Sequence, residues 1–311
     1  MKKPTVVFVV GPTASGKTDL ACKLARVYNS EVISADSMQI YKGMHIASAA
    51  PDKEEINGVP HNLIEFLPYG ATFTVADYTD IARKEINRVL ANGKTPIIAG
   101  GTGLYISALA DNTQFLPIKT DKSLRAKLEA EYDLCGGEEM LKKLIAFDKV
   151  SAEKLSPSDK RRIVRAFEIY KTSGLTKTEQ NKLSKMSPPG FSPIMIGITF
   201  KDREKLYERI NDRVDIMLKK GLLEEAETAY KNASGGAVQA IGHKEFFEYF
   251  KGEETLDGAV EKLKRSTRRY AKRQMTWFNK DTRINWIYRD ITPDVYGEAL
   301  KIICREEKEY A

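Results

Sequence analysis

Cysteine, tryptophan and histidine are all scarce in this chain of 311 residues, which has three, two and three of them. Cys22, Cys135 and Cys304 are scattered and odd in number. They form no metal-ligand spacing and suggest a reducing, cytoplasmic setting. No apolar run approaches the ~20 residues of a membrane span, so no membrane partner is expected. The start, MKKPTVVFVV, pairs two lysines with an apolar run. That run flows straight into a functional loop, which argues against a cleaved signal peptide. There is no internal repeat and no long low-complexity tract. Two nucleotide-hydrolysis signatures are also missing. The apolar strand that should end in a Mg²⁺-holding Asp here ends Ile98-Ala99-Gly100-Gly101. No guanine-reading Asn-Lys-x-Asp occurs; Asn181-Lys182-Leu183-Ser184 and Asn279-Lys280-Asp281-Thr282 both lack the final Asp. Motor ATPase and GTPase readings are lowered accordingly.

What is present is a phosphate cradle. The β-branched run Val6–Val10 leads into Gly11-Pro12-Thr13-Ala14-Ser15-Gly16-Lys17-Thr18, and Leu20, Ala21, Leu24 and Ala25 follow at helical spacing. Strand, Gly-rich loop and helix form the context a P-loop needs. Its glycines let successive N–H groups turn inward around an anion, and the helix start adds its positive dipole end. Lys17 brings a full charge to phosphate oxygens, and the Thr18 hydroxyl can hold Mg²⁺. The loop alone does not say which phosphorylated molecule is held or which bond breaks.

Composition, 42% hydrophobic and 30% charged, reads as globular, and the net charge of +7 permits an anionic partner without proving one. Glu31–Asp36 reads as a short parallel strand with Asp36-Ser37-Met38-Gln39-Ile40-Tyr41 at its carboxyl end. Ligands gather at such strand ends, so Asp36 and the P-loop are expected to open onto one crevice. Residues 59–64 suggest another short strand. Ala76–Leu90 is an amphipathic helix. Thr95–Ala99 is a buried strand, followed by a second Gly-rich turn, Gly100-Gly101-Thr102-Gly103. From Lys119 to Pro193 the βα alternation gives way to charged helices near 121–133, 138–147, 151–155 and 159–173. Ile194–Phe200 is a strand again, so residues 119–193 read as a helical insertion between strands of one sheet. Residues 203–278 read as helical. In the last helix Leu263, Tyr270 and Trp277 are expected to form the buried stripe. Glu261–Arg273 carries seven cations against one anion. Such a band suits a phosphodiester backbone, although charge alone leaves a solvated face open.

Six ordered stretches resemble the tRNA dimethylallyltransferase (tRNA isopentenyltransferase) family. They are Gly11–Thr18; Asp36-Ser37-x-Gln39-x-Tyr41; Gly100–Tyr105; Asp159-x-Arg161-Arg162-Ile163-x-Arg165-Ala166; Gln239-Ala240-Ile241-Gly242; and Ala271-Lys272-Arg273-Gln274-x-Thr276-Trp277-Phe278. The resemblance implies transfer of a dimethylallyl group from dimethylallyl diphosphate to N6 of adenosine 37 in tRNA. Gly11 to Thr18 would hold the diphosphate as leaving group, with Lys17 and a Mg²⁺ at Thr18 neutralising its charge. Asp36 would be the base, and Asp36, Ser37, Met38 and Gln39 would read the adenine. Thr102, Arg125, Lys160, Arg161, Arg162, Ile163, Val164 and Arg165 would contact the anticodon stem-loop. Departures from the family pattern are His61-Asn62 in place of two histidines, His243 in place of Tyr, Asn279 in place of Arg and Ser158-Asp159 in place of Asn-Asp. A P-loop kinase of a nucleotide or small metabolite is the competing enzyme class; the basic band argues against it. A non-enzymatic RNA-binding module is a third reading, which the intact P-loop opposes.

The expected architecture is α/β. A P-loop NTPase-like, mostly parallel sheet is formed by residues 1–118 and 194–311, with a helical C-terminal part and the helical insertion at 119–193. The protein is expected to be a cytoplasmic monomer.

Overall fold

The structure, a computed structural model, describes residues 3–115, 121–232 and 240–309. Six strands are formed: β1 (Thr5–Val10), β2 (Val32–Ser34), β3 (His61–Asn62), β4 (Ile97–Gly100), β5 (Ser192–Thr199) and β6 (Ile284–Tyr288). They make one sheet of spatial order β3-β2-β4-β1-β5-β6, parallel throughout. A parallel sheet is covered on both faces, so its central strands read as unbroken apolar runs. Val6, Phe8 and Val10 of β1 enter one layer and Val7 and Val9 the other, all fully buried. Burying each such side chain is worth about 1.5–3 kcal/mol, which makes β1 the anchor of the sheet. Helices α1 (Lys17–Val27) and α12 (Val295–Glu309) cover one face, with the short α2 (Lys53–Ile56) beside α1. Helices α3 (Val75–Ala91) and α4 (Gly103–Ala110) cover the other, joined by Phe278. The chain passes to β2 and β4 on one side of β1 and to β5 and β6 on the other. A crevice therefore opens beyond the carboxyl ends of these strands.

By contact density the chain divides into two units, residues 1–110 with 189–311, and residues 111–188. The smaller unit begins eight residues before the expected insertion boundary of 119. Its two ends are zipped together: Gln114 N–H donates to Ser184 O at 2.7 Å, and Lys185 pairs with Asp111 at 2.8 Å. It contains α5 (Lys122–Ala152), α6 (Lys160–Ser173) and α7 (Lys177–Leu183) around a core of Leu128, Met140, Leu144, Ile163, Val164 and Phe167. Helices expected at 121–133 and 138–147 are parts of α5, which is non-helical at Gly136 and Asp148. The separate helix expected at 151–155 does not form: α5 ends at Ala152. Helix α7 was not foreseen, although its capping box, Thr176-x-x-Glu179, is visible in sequence.

In the larger unit, α8 (Arg203–Lys219), α9 (Leu222–Lys231), a single 3₁₀ turn at Lys244–Phe246, α10 (Phe247–Phe250) and α11 (Leu256–Phe278) enclose their own core. The C-terminal region is not helical to its end. Beyond Phe278 the chain returns to the sheet as edge strand β6 and then packs α12 on it. Five residues with only Ile284 and Ile287 buried form too short a pattern to stand out from a loop. Among the described residues, no helix is long and apolar enough to cross a membrane.

Candidate active site

The loop after β1 wraps the start of α1. Gly16, with φ of 93°, caps the helix in a left-handed conformation. A Cβ there would also press on the movable end of the Arg289 side chain, so it is the backbone conformation that calls for glycine. Lys17 Nζ donates to Pro12 O at 2.6 Å, and Ser15 Oγ is buried without a partner. Arg209 Nε donates to Ala14 O at 3.1 Å, and Thr13 N–H donates to Gln274 Oε1 at 2.9 Å. Two cavities, of about 320 and 490 Å³, share Ala14, Lys17, Thr18, Ala49, Arg213 and Met217.

The end of β2 forms the facing wall of the smaller cavity. Asp36 Oδ1 accepts the Met38 N–H at 2.9 Å, an Asx turn that fixes the carboxylate. Thr102 Oγ1 accepts the Ser37 N–H at 2.9 Å and donates to Ser37 Oγ at 3.2 Å. Gln39 Oε1 accepts from Ser34 Oγ at 2.8 Å, while its Nε2 donates to Ala49 O at 3.2 Å. Gly100 lets β4 approach: a Cβ there would meet Ala35 O at 2.2 Å. As a result Asp36, Ser37, Met38 and Gln39 line the same cavity as Thr13, Lys17 and Thr18. Ile210, Val214, Met217 and Leu263 give it an apolar patch, and Arg213, Lys244, Tyr270, Arg273 and Gln274 line it too.

Charge is unbalanced toward the cationic side. Burial and the neighbouring Arg213 push Lys17 down to about 7, against the pull of Asp36. Burial pushes the Asp36 carboxyl up, although the Met38 N–H, Lys17, the Gln39 N–H and Arg213 favour its charged form. Burial also disfavours the charge on Arg213, whose Nη2 donates to Ala49 O at 3.4 Å. Burial, and then the Arg289 charge, disfavour the charge on Arg209 beside Lys17 in the larger cavity.

Arg209, Arg213, Arg289 and Gln274 were not singled out as site residues by sequence reasoning. Arg209 and Arg213 lie four residues apart on one face of α8, which reads as ordinary solvated charge. Arg289 follows the unforeseen β6. The expected stripe on α11 is also corrected. Leu263 is buried, but Tyr270 lines the cavity and Trp277 is 42% exposed. A seven-residue repeat drifts by ~20° per heptad on a straight helix, and the buried line becomes Leu263, Ala271, Gln274 and Phe278.

The basic band of α11 is partly used internally. Lys262 pairs with Glu248 and Glu254, Lys264 with Asp215, and Arg268 bonds Asn211. Arg265, Arg269, Lys272 and Arg273 are exposed. His243 is fully buried, with Nε2 3.0 Å from Glu225 Oε1, and that carboxylate also accepts the Ile46 and Ala47 N–H groups. It therefore braces the 46–47 turn. His61 Nδ1 lies 2.9 Å from Val59 O, and its Nε2 is 3.7 Å from Cys22 Sγ. Gln239 lies outside the described residues.

The remaining RNA candidates, Arg125 and Lys160 to Arg165, belong to the smaller unit. Arg161 and Arg162 are exposed, and Arg162 pairs with Asp159 at 3.0 Å. Lys160 pairs with Asp133 at 2.5 Å. Arg125 and Arg165 both pair with the fully buried Glu168, at 2.7 and 2.5 Å. Ile163 and Val164, expected to face RNA, are instead core residues, because their positions on α6 point at α5.

Comparison with known proteins bears on this site. A family model described as "IPP transferase" matches residues 39–281. A protein of Acetivibrio thermocellus named "tRNA dimethylallyltransferase" is 48% identical over 92% of both chains. One of the same name from Bacillus subtilis is 44% identical, covering 96% of this chain and 95% of its own. The crystal structure of a tRNA isopentenylpyrophosphate transferase from Bacillus halodurans matches with a TM-score of 0.73 and 38% identity, over 99% of this chain and 98% of that one. A eukaryotic dimethylallyltransferase described as acting on tRNA matches with a TM-score of 0.80 and 26% identity, over 98% of this chain and 79% of that one.

Proposed function

This chain belongs to the tRNA dimethylallyltransferase family, and on that premise we propose that it transfers a dimethylallyl group from dimethylallyl diphosphate to N6 of adenosine 37 in tRNA. The observation that carries this reading is that the P-loop and the Asp36 turn line one cavity, with Ile210, Val214, Met217 and Leu263 also in its lining. Family membership sets the small-molecule kinase aside.

The P-loop N–H groups, Lys17 and Arg213 receive the diphosphate. As the C1–O bond breaks, its electron pair stays with the diphosphate, and these donors stabilise the growing charge. The five-carbon group becomes cation-like, and Ile210, Val214, Met217 and Leu263 keep water from it. The N6 lone pair forms the new bond to C1. Asp36, a stronger base than an ordinary carboxylate because it is buried, takes the N6 proton. Thr18 faces both cavities beside Lys17. Ser15 Oγ, buried without a partner in the same loop, is a further oxygen there. Among the described residues no group of three or more His, Cys, Asp or Glu could hold an ion. A Mg²⁺ would thus be held by the Thr18 hydroxyl together with diphosphate oxygens and water, and would add positive charge on the leaving group. Adenosine 37 is unpaired in the anticodon loop but must leave its stack to enter. Ser37, Met38 and Gln39 would then meet its edge. The exposed cations of α6 and α11 would meet the phosphates of the stem-loop.

Unmodified tRNA incubated with labelled dimethylallyl diphosphate, and in parallel with γ-labelled ATP, tests the reading. Label on tRNA from the first donor is expected. Transfer of phosphate from ATP, or no transfer from either, rejects it.

A further inference from the structure

We infer that Gln274 is a positioning residue that holds the diphosphate loop and the adenosine-reading turn in register, its effect carried to the latter through the Gly101–Thr102 backbone. The inference rests on the prenyl-transfer reading and adds to it a group that touches neither substrate's reacting atoms.

Gln274 is a buried amide, 5% exposed, on a face of α11 that otherwise buries Leu263, Ala271 and Phe278. A buried amide is costly unless paired, and this one is paired at both ends. Its Oε1 accepts the Thr13 N–H of the P-loop at 2.9 Å, and its Nε2 donates to Gly101 O at 2.9 Å. Gly101 is followed directly by Thr102. Thr102 Oγ1 in turn accepts the Ser37 N–H next to Asp36. One path thus runs from Thr13 through Gln274 and the Gly101–Thr102 backbone to Ser37. It links the loops after β1, β4 and β2, the three edges that must stay in register if the leaving group and the nitrogen that Asp36 deprotonates are to meet at one carbon. Backbone has been cut back to admit the amide: a Cβ on Gly101 would lie 2.2 Å from Nε2. A small misalignment of reacting groups lowers the rate without weakening binding equally.

Three proteins are compared with labelled dimethylallyl diphosphate and unmodified tRNA: wild type, Gln274→Met and Thr102→Val. Methionine keeps the volume and removes the amide. Its kcat is expected to fall about 30-fold or more, a loss typical of disturbed positioning. The Kd for an anticodon stem-loop RNA should stay close to wild type, while the thermal midpoint falls as Thr13 N–H and Gly101 O lose their partner. Thr102→Val removes the oxygen that accepts the Ser37 N–H and leaves the Thr13 link intact, so it should lower kcat about fivefold with the KM for dimethylallyl diphosphate unchanged. The two changes together should be no worse than Gln274→Met alone, because both cut one path. Unchanged kcat in Gln274→Met overturns the inference. So does a loss of kcat matched by loss of RNA binding, or multiplicative effects in the double variant. Should Gln274→Met fail to fold, an unchanged kcat in Thr102→Val still overturns it. A wild-type protein that transfers nothing rejects the prenyl-transfer reading itself.

Discussion

The molecule carries two groups of cations that are built in opposite ways. In the smaller unit each of four cations already has a carboxylate: Lys160 has Asp133, Arg162 has Asp159, and Arg125 with Arg165 share Glu168. In the larger unit Lys17, Arg209, Arg213 and Arg289 crowd one cradle, where burial first and then Arg213 disfavour the charge on Lys17, and burial first and then Arg289 the charge on Arg209. The first group is satisfied within the protein, each charge answered by a carboxylate. The second gathers partly and fully buried positive charge that an anion would offset. Cations that position and cations that wait for charge are thus told apart by their partners, not by their number.

Breaking the acid that faces the cradle should have the largest effect. Asp36→Asn should lower kcat by about 10²–10⁴-fold, the usual loss for a general base, with little change in stem-loop affinity. Equal losses in kcat and RNA Kd would make Asp36 a binding residue. Because burial raises this carboxyl, kcat/KM should fall as pH is lowered through a point above the ordinary carboxylate range. An acid limb at the ordinary value would contradict the burial argument.

Next comes the cradle itself. Arg213→Met should raise the KM for dimethylallyl diphosphate about tenfold or more and leave tRNA affinity alone, since it removes one buried charge–phosphate contact. A third expectation sharpens the contrast through protons. Burial and then Arg213 hold Lys17 near 7. Diphosphate favours its protonated form, so binding raises that value. Affinity is then greatest below pH 7 and weakens as pH rises toward the bound-state value. Calorimetry with inorganic diphosphate at pH 8, in buffers of different ionisation heat, should show proton uptake in the wild type that Lys17→Arg lacks. Equal uptake in both would place the proton elsewhere than on Lys17.

The smallest effect is expected in the satisfied group. Glu168→Gln weakens the anchor of Arg125 and Arg165 and should raise the KM for tRNA by about threefold with kcat unchanged, in the range of partly exposed ion pairs. An effect on kcat as large as that of Asp36→Asn would erase the distinction between the two groups.

Local pattern made the sheet and the cradle legible. A β-branched run, a Gly-rich loop and an amphipathic helix are each decided within about ten residues, as were the Asp36 turn and the Gly100–Gly103 turn. Helix α11 shows where this stops. Its length and charge were readable, but which of Leu263, Tyr270, Gln274 and Trp277 faced inward depended on the packing it met. The same holds for Ile163 and Val164, whose neighbours in the family motif pointed to RNA while their own burial went to the core of the smaller unit.

By itself the sequence determined a P-loop on a parallel sheet, a helical insertion and an acid at a strand end, because backbone geometry and hydrophobic period act over short stretches. Only tertiary structure decided that Arg209, Arg213, Arg289 and Gln274 converge on that loop from α8, α11 and the turn after β6. Their convergence depends on how distant elements pack around β1, and neither the spacing nor the charge of a single segment encodes it.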